Sequence, residues 1–259
     1  MPITLLYHDV VRAGREDSSG FVGAGAARYK LTLSEFQSHL AHLDQAASSA
    51  PTVTAADPTW QLTFDDGGVS AATCIADALD SRNWKGWFFI TTDRIGTPGF
   101  VSRTQILDLH QRGHVIGTHT CSHPHPFSRV PFEQQSAEWR DSRRALEDIL
   151  GTAVTAGSVP GGAYSDAVGR IAAEAGLRTL FNSEPTTTIH RADQCDIQGR
   201  YTIYRGMTAL QAAALLESPW SRRRQSFLWS AKKLAKSAGG ATYLRLRETL
   251  LRRAYAPVS

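Results

Sequence analysis

Cysteine is scarce: three residues in 259 (Cys74, Cys121 and Cys195), far apart and without a CxxC pair. A disulfide framework is therefore not expected, and the chain suits a reducing compartment. No window approaches the roughly 18 consecutive apolar residues that a spanning helix needs. The opening run Pro2-Ile-Thr-Leu-Leu-Tyr-His-Asp9 lacks a charged start and is too short for the core of a signal peptide, so the expected location is the cytoplasm. No GxGxxG follows the first apolar run and no GxxxxGK(S/T) occurs, which argues against dinucleotide and P-loop nucleotide binding. Internal repeats and low-complexity tracts are also missing.

What is present is an ordinary globular composition, 42% hydrophobic and 20% charged, with 21 Gly and 11 Pro. The net charge of +4 hides an asymmetry: residues 220–259 carry ten basic side chains against Glu248 alone. The segment 1–219, slightly acidic, reads as one folded unit and 220–259 as a basic tail. In the tail Phe227, Ala231, Leu234, Ala235 and Ala238 share a helical face, and Tyr243, Leu246, Leu250 and Ala254 form a second stripe beyond Gly239-Gly240. Such a helix pair either packs on the body with its charges solvated or docks on an anionic membrane at the inner face. Nucleic acid is a poorer partner, since the tail has too few aromatics for a stacking platform.

Seven β-rich runs are spaced along the body, at 3–8, 61–65, 86–92, 114–119, 156–160, 178–183 and 201–205. Helical patterns fill most gaps, at 34–43 with Ser34 as cap, 69–82, 103–112 after Ser102, 131–150, 166–175 and 208–217. This alternation predicts parallel strands joined by crossover helices, closed or nearly closed into a barrel. The Gly- and Ala-rich loop 13–30 and the segment 184–198 are expected to be mobile.

Two clusters carry chemistry. Gln61-Leu-Thr-Phe-Asp-Asp-Gly-Gly68 is an apolar strand ending in two carboxylates and two glycines, at the edge where parallel barrels assemble active sites. Adjacent strand residues diverge, so Asp65 and Asp66 converge only if the turn reorients them; otherwise Asp66 is a helix cap. Gly117-Thr-His-Thr-Cys-Ser-His-Pro-His-Pro126 places His119 and His123 four apart, able to share an ion if the segment coils after its strand. It is no HExxH helix, because position 120 is Thr and Pro124 and Pro126 bar a long helix. His114 reads as a core or locally bonded histidine, His125 as a loop histidine and Cys121 as a packed thiol. Two imidazoles and a carboxylate with open positions form a catalytic type of zinc set, leaving the other carboxylate free to act as a base.

Thr63-Phe-Asp-Asp-Gly67 with His119-Thr-Cys-Ser-His123 resembles the first two motifs of the polysaccharide deacetylases, the NodB-homology or carbohydrate esterase family 4 group. Leu5-Leu-Tyr-His-Asp9, Trp87-Phe-Phe-Ile-Thr-Thr92 and the run 111–119 extend the resemblance, which covers residues 3–217. It implies an α/β fold, a distorted (β/α)7 barrel of the NodB type, and a divalent metal, most often Zn2+, held by Asp66, His119 and His123. It also implies Asp65 as general base, acting on an N-acetylated saccharide or glycolipid in polysaccharide or glycolipid biosynthesis.

The later motifs depart from the family. In Gly157-Ser-Val-Pro-Gly-Gly-Ala-Tyr164 the serine at 158 stands where the third motif has Arg, and Gly161 matches the backbone donor to the oxyanion. Pro160 and Tyr164 are candidates to line the sugar site, with simple packing as the alternative for Tyr164. Neither the fourth motif's Asp-Trp pair nor the fifth motif's Leu-x-His is visible. Arg200 is the candidate to neutralise Asp65 in place of the missing Arg, with a surface charge as its alternative. His190 reads as a solvated loop histidine, and Glu184 as a replacement carboxylate or a cap. These departures keep two rivals open: a deacylase or C–N hydrolase with another substrate, and a sugar-binding barrel that no longer hydrolyses.

Overall fold

Aliphatic and aromatic residues buried on both sides fit parallel strands covered by helices. The computed structural model, which describes residues 2–48 and 59–234, has that architecture. The strands are β1 (Ile3–Tyr7), β2 (Val10–Val11), β3 (Leu31–Thr32), β4 (Trp60–Phe64), β5 (Gly86–Ile90), β6 (Val115–Thr118), β7 (Ala156–Ser158), β8 (Thr179–Phe181), β9 (Ile189–Ala192), β10 (Cys195–Gln198) and β11 (Tyr201–Thr202). Nine form one curled sheet in the order β11-β1-β4-β5-β6-β7-β8-β10-β9, and β2 pairs with β3 apart from it. Among the described strand pairs of this sheet, β9–β10 alone is antiparallel. The sheet is a half-barrel with β11 and β9 at its edges. The helices are α1 (Ala24–Ala27), α2 (Leu33–Ser48), α3 (Ala76–Asp80, continuing a π-turn at Ala71–Ile75), α4 (Arg103–Gln111), α5 (Phe132–Leu150), α6 (Asp166–Glu174) and α7 (Ala209–Glu217).

The outer face of the sheet buries Leu5, Tyr7, Leu62, Phe64, Phe88 and Ile90 against Phe36, Leu40, Leu43, Ile75, Leu79, Ile106 and Leu109. Alternate β5 residues turn the other way, so Phe89, with Trp87 against it, meets Ala156 and Phe181 in a small inner cluster. A further cluster, centred on Trp139, Val168, Ile171, Leu180 and Ile197, closes the α5–α6 side.

Three local expectations change. The cap of α2 is Thr32 rather than Ser34: Thr32 Oγ1 accepts from the Glu35 amide, and Glu35 accepts from the Thr32 amide, a reciprocal capping box. Residues 189–198 form the β9–β10 hairpin instead of a mobile loop, because Cys195 and Ile197 alternate inward with period two. The loop 13–30 is pinned from within: the buried Lys30 ammonium donates to the carbonyls of Glu16, Ser19 and Phe21. A helical segment over 219–234 follows α7; the second stripe of the tail (Tyr243, Leu246, Leu250, Ala254) lies outside the described residues. Among the described residues, no helix is long and apolar enough to cross a membrane.

His114 is a core histidine, its Nδ1 accepting the Gly86 amide at 3.2 Å while Nε2 stands 3.6 Å from Asp80. Burial pulls its pKa down to about 4 against the attraction of Asp80. The neutral ring therefore contributes stability that is whole above the unfolded value near 6.5 and is lost as pH falls towards 4. Urea titrations at neutral and acid pH should show a loss on the order of 2 kcal/mol that His114→Gln does not share. An identical pH slope in the variant would remove His114 from this role.

Candidate functional site

Strand register decides which side chains can meet. Tyr7 pairs with Phe64, Ile90 with Thr118, Thr118 with Gly157, and Ser158 with Phe181. The residues that follow these pairs therefore emerge together at the carboxyl edge: His8 and Asp9 beside Asp65 and Asp66, and His119 beside Ser158. Asp66 does not diverge from Asp65, because it turns into the left-handed region (φ 75°) ahead of Gly67. Thr120 and His123 also have positive φ, 67° and 60°. Such conformations cost on the order of 1–3 kcal/mol each and persist where the surroundings over-determine them.

Those surroundings are specific. Buried Glu138 on α5 accepts from the Cys121 and Ser122 amides (2.8 and 2.9 Å) and from the Ser122 hydroxyl, while Thr120 Oγ1 accepts the His123 amide. This coils the chain so that His119 and His123 face one point. His119 Nε2 and His123 Nε2 stand 3.5 and 3.6 Å from the same Asp66 oxygen. Ligand atoms bound tetrahedrally at zinc–nitrogen and zinc–oxygen distances lie about 3.4 Å apart, so the three donors fit one ion. They form the one such group found among the described residues. His119 Nδ1 donates to the Ser158 carbonyl at 2.7 Å, which directs the Nε2 lone pair at the site. Phe21, from the pinned loop, packs on the His123 ring at 4.8 Å.

Electrostatics separate the groups. Burial works to raise the Asp66 carboxyl, but its hydrogen bond to His119 and the neighbouring histidines hold it well below the usual carboxylate range. Burial pulls His123 down to about 4, with the positive field of His119 adding to it. For His119 burial is outweighed by Asp65 and Asp66, which raise its pKa. Burial also pushes the Cys121 thiol up to about 11, as suits a packed thiol rather than a ligand.

Asp65 is buried and faces Arg200, whose guanidinium is fully buried. Arg200 Nη1 and Nη2 donate to the two Asp65 oxygens at 2.8 Å each, a bidentate fork. Its other donors reach Thr63 Oγ1, Ser158 Oγ and the Asn182 carbonyl, so all five are used. Ser158 in turn donates to Asp65 Oδ2 at 2.9 Å. The small serine leaves room for the guanidinium between the Phe89 and Phe181 rings, 5.8 and 5.7 Å from its carbon. Burial raises the Asp65 carboxyl, yet Arg200 and then His119 more than offset it, and it stays ionised below its ordinary value.

The remaining candidates lie nearby or elsewhere. Pro160 is buried at the start of a 3-10 turn, and Gly161 within it has φ 59°, where a Cβ would strike the His125 imidazole. Tyr164 packs on the Trp139 cluster, with its hydroxyl against Gly169. His190 is exposed on β9, and Glu184 uses its carbonyl to accept the Arg200 amide.

Sequence reasoning passed over two residues. Glu138 left no motif. His8 did leave a signal, because it ends the first strand in register with the aspartyl pair. Its ring stacks on Tyr29 at 4.7 Å, its buried Nδ1 has no hydrogen-bond partner among the described residues, and it lies close enough to favour the ionised forms of Asp65 and Asp66.

Residues 52–180 match the family model for polysaccharide deacetylases. Chitin deacetylase 1 of Cryptococcus neoformans var. grubii is 32% identical over 123 residues, 47% of this chain and 25% of that protein. The chain spans between 25% and 56% of the length of the curated relatives it matches. Among solved structures, a polysaccharide deacetylase of Bacillus cereus aligns with TM-score 0.68 at 19% identity, over 83% of this chain and 68% of that one. IcaB of Ammonifex degensii aligns at 0.66 and 20%, over 83% and 97%. The Streptococcus pyogenes deacetylase PplD, solved with acetate, aligns at 0.64 and 20%, over 81% and 95%. At these identities the structures establish a shared fold.

Proposed function

Because the chain belongs to the polysaccharide deacetylase family, we propose that it is a metal-dependent hydrolase that removes an N-acetyl group from a saccharide, in polysaccharide or glycolipid assembly. The observation that carries this reading is the pairing of an Asp66–His119–His123 ligand set with a second, ionised carboxylate clamped by Arg200 and Ser158. A divalent cation held there, most simply Zn2+, supplies Lewis-acid polarisation of the acyl oxygen and acidifies a water.

The residues divide the remaining work. Asp65 takes the proton of the water that attacks the acetyl carbonyl. Arg200 and Ser158 hold the carboxylate in one orientation without touching substrate. The Gly161 amide offers its N–H to the oxygen that becomes negative as the carbon turns tetrahedral. The C–N bond then breaks, the amine nitrogen takes a proton from His8, and acetate and the free amino sugar leave. His8 fills the donor role for which no fifth-motif histidine is present.

The test uses the full chain with N-acetylated oligosaccharides of several linkages and an acetate assay. Acetate release that is lost on chelation and restored by Zn2+ is expected. Asp66→Ala or His119→Ala should lower metal content to below about a tenth, read by elemental analysis. Full metal occupancy in both variants would remove the ligand assignment. Failure of the metal-loaded protein to release acetate from every saccharide tested would overturn the activity.

A further inference from the structure

The helix over 219–234 lies with one side on the barrel. Arg222 donates to the Leu215 and Leu216 carbonyls at 2.8 and 3.1 Å, Gln225 donates to the Thr202 carbonyl at 2.9 Å, and the Lys232 ammonium sits 5.6 Å from the Tyr204 ring centroid. At 3.6 residues per turn these positions share a face. The opposite face carries Trp220 and Phe227, seven apart and 70% and 72% exposed, with Leu228 beside them at 43%. Arg223 and Arg224, both exposed, flank that row, and Leu234 continues it.

A helix packed on a soluble body normally turns its polar side outward. Here large apolar side chains point to solvent, bordered by cations, and residues 220–259 hold ten basic side chains against one acid. We propose that this face docks on an anionic lipid bilayer, with Trp220 and Phe227 entering the headgroup region and Arg223 and Arg224 meeting lipid phosphates. Charge complementarity selects this occupant. A second copy would bring two strongly basic segments together, and two outward aromatic rings seven residues apart are too few for the stacking platform that a nucleic acid uses. Trp is favoured at such an interface because its ring is apolar and its N–H stays wet. Each cation near an anionic leaflet strengthens partitioning about fivefold.

The test is sedimentation of the 259-residue chain with vesicles of phosphatidylcholine alone or mixed with phosphatidylglycerol. Binding to the anionic vesicles only, released by high salt, is expected. Trp220→Ser/Phe227→Ser should weaken it at least about tenfold, and Arg223→Gln/Arg224→Gln by a similar factor. The melting temperature should be unchanged, since all four side chains are exposed. Absence of binding to anionic vesicles would overturn the proposal. So would binding that the apolar double variant leaves intact, because charge alone would then explain it. A concentration-dependent dimer abolished by the same variant, with no vesicle binding, would assign the face to a second copy instead.

Discussion

Asp65→Asn is expected to lower acetate release about a thousandfold, within the range attached to loss of a positioned general base, while the protein keeps its metal. The amide preserves shape and one acceptor for the Ser158 hydroxyl, but it cannot take a proton from water. Asp66, His119 and His123 are untouched, so elemental analysis should return wild-type occupancy. A second effect accompanies the first. Arg200 is fully buried and loses its counter-charge, which destabilises a fold by about 3–5 kcal/mol. Turnover must therefore be compared below the variant's own unfolding transition. Turnover within tenfold of wild type would remove Asp65 as the base, and loss of metal would place it among the ligands.

Arg200→Met should cost about 3–5 kcal/mol at neutral pH, since it strands the buried Asp65 carboxylate, and lower turnover on the order of a hundredfold. The pH dependence distinguishes this from a packing defect. In the wild type the guanidinium holds Asp65 below its ordinary pKa, so the pair stabilises above the unfolded carboxyl value near 4 and fades below it. In the variant the chief opponent of burial is gone, the weaker pulls of His119 and His8 remain, and the Asp65 pKa moves upward. The stranded carboxylate then takes a proton as pH falls, and the deficit narrows. Urea midpoints at about pH 7.5 and about pH 5 read this directly. Arg200→Lys should rescue little, because an ammonium cannot form the two-pronged contact. The Asp65→Asn/Arg200→Met double variant should be more stable than the sum of the single losses predicts, as coupled partners require. Additive losses would mean the fork contributes nothing.

Element positions were legible where periodicity was strong. The apolar runs at 3–8, 61–65 and 86–92 became β1, β4 and β5, and the amphipathic 131–150 became α5. The β9–β10 hairpin escaped notice because only Cys195 and Ile197 mark its inner face. The order in the loop 13–30 was illegible for a different reason. A lysine at 30 reads as a surface charge, and nothing local shows that three carbonyls surround its ammonium. Arg200 stood between two readings for the same cause: its partner carboxylate is 135 positions away.

By itself the sequence determined the chemistry available and the edge on which it sits. An apolar strand ending in Asp65-Asp66-Gly67, and another followed by two histidines four apart, can only deliver those side chains past a strand terminus. Tertiary structure alone decided which groups face each other. Left-handed turns at Asp66 and His123 bring one carboxylate and two imidazoles to one point. Parallel register sets His8 beside the aspartyl pair, and the serine at 158 opens the space that Arg200 enters from the link between β10 and β11. Those outcomes depend on how distant strands align and on which charge fills a desolvated gap, and neither quantity is a property of any local stretch of chain.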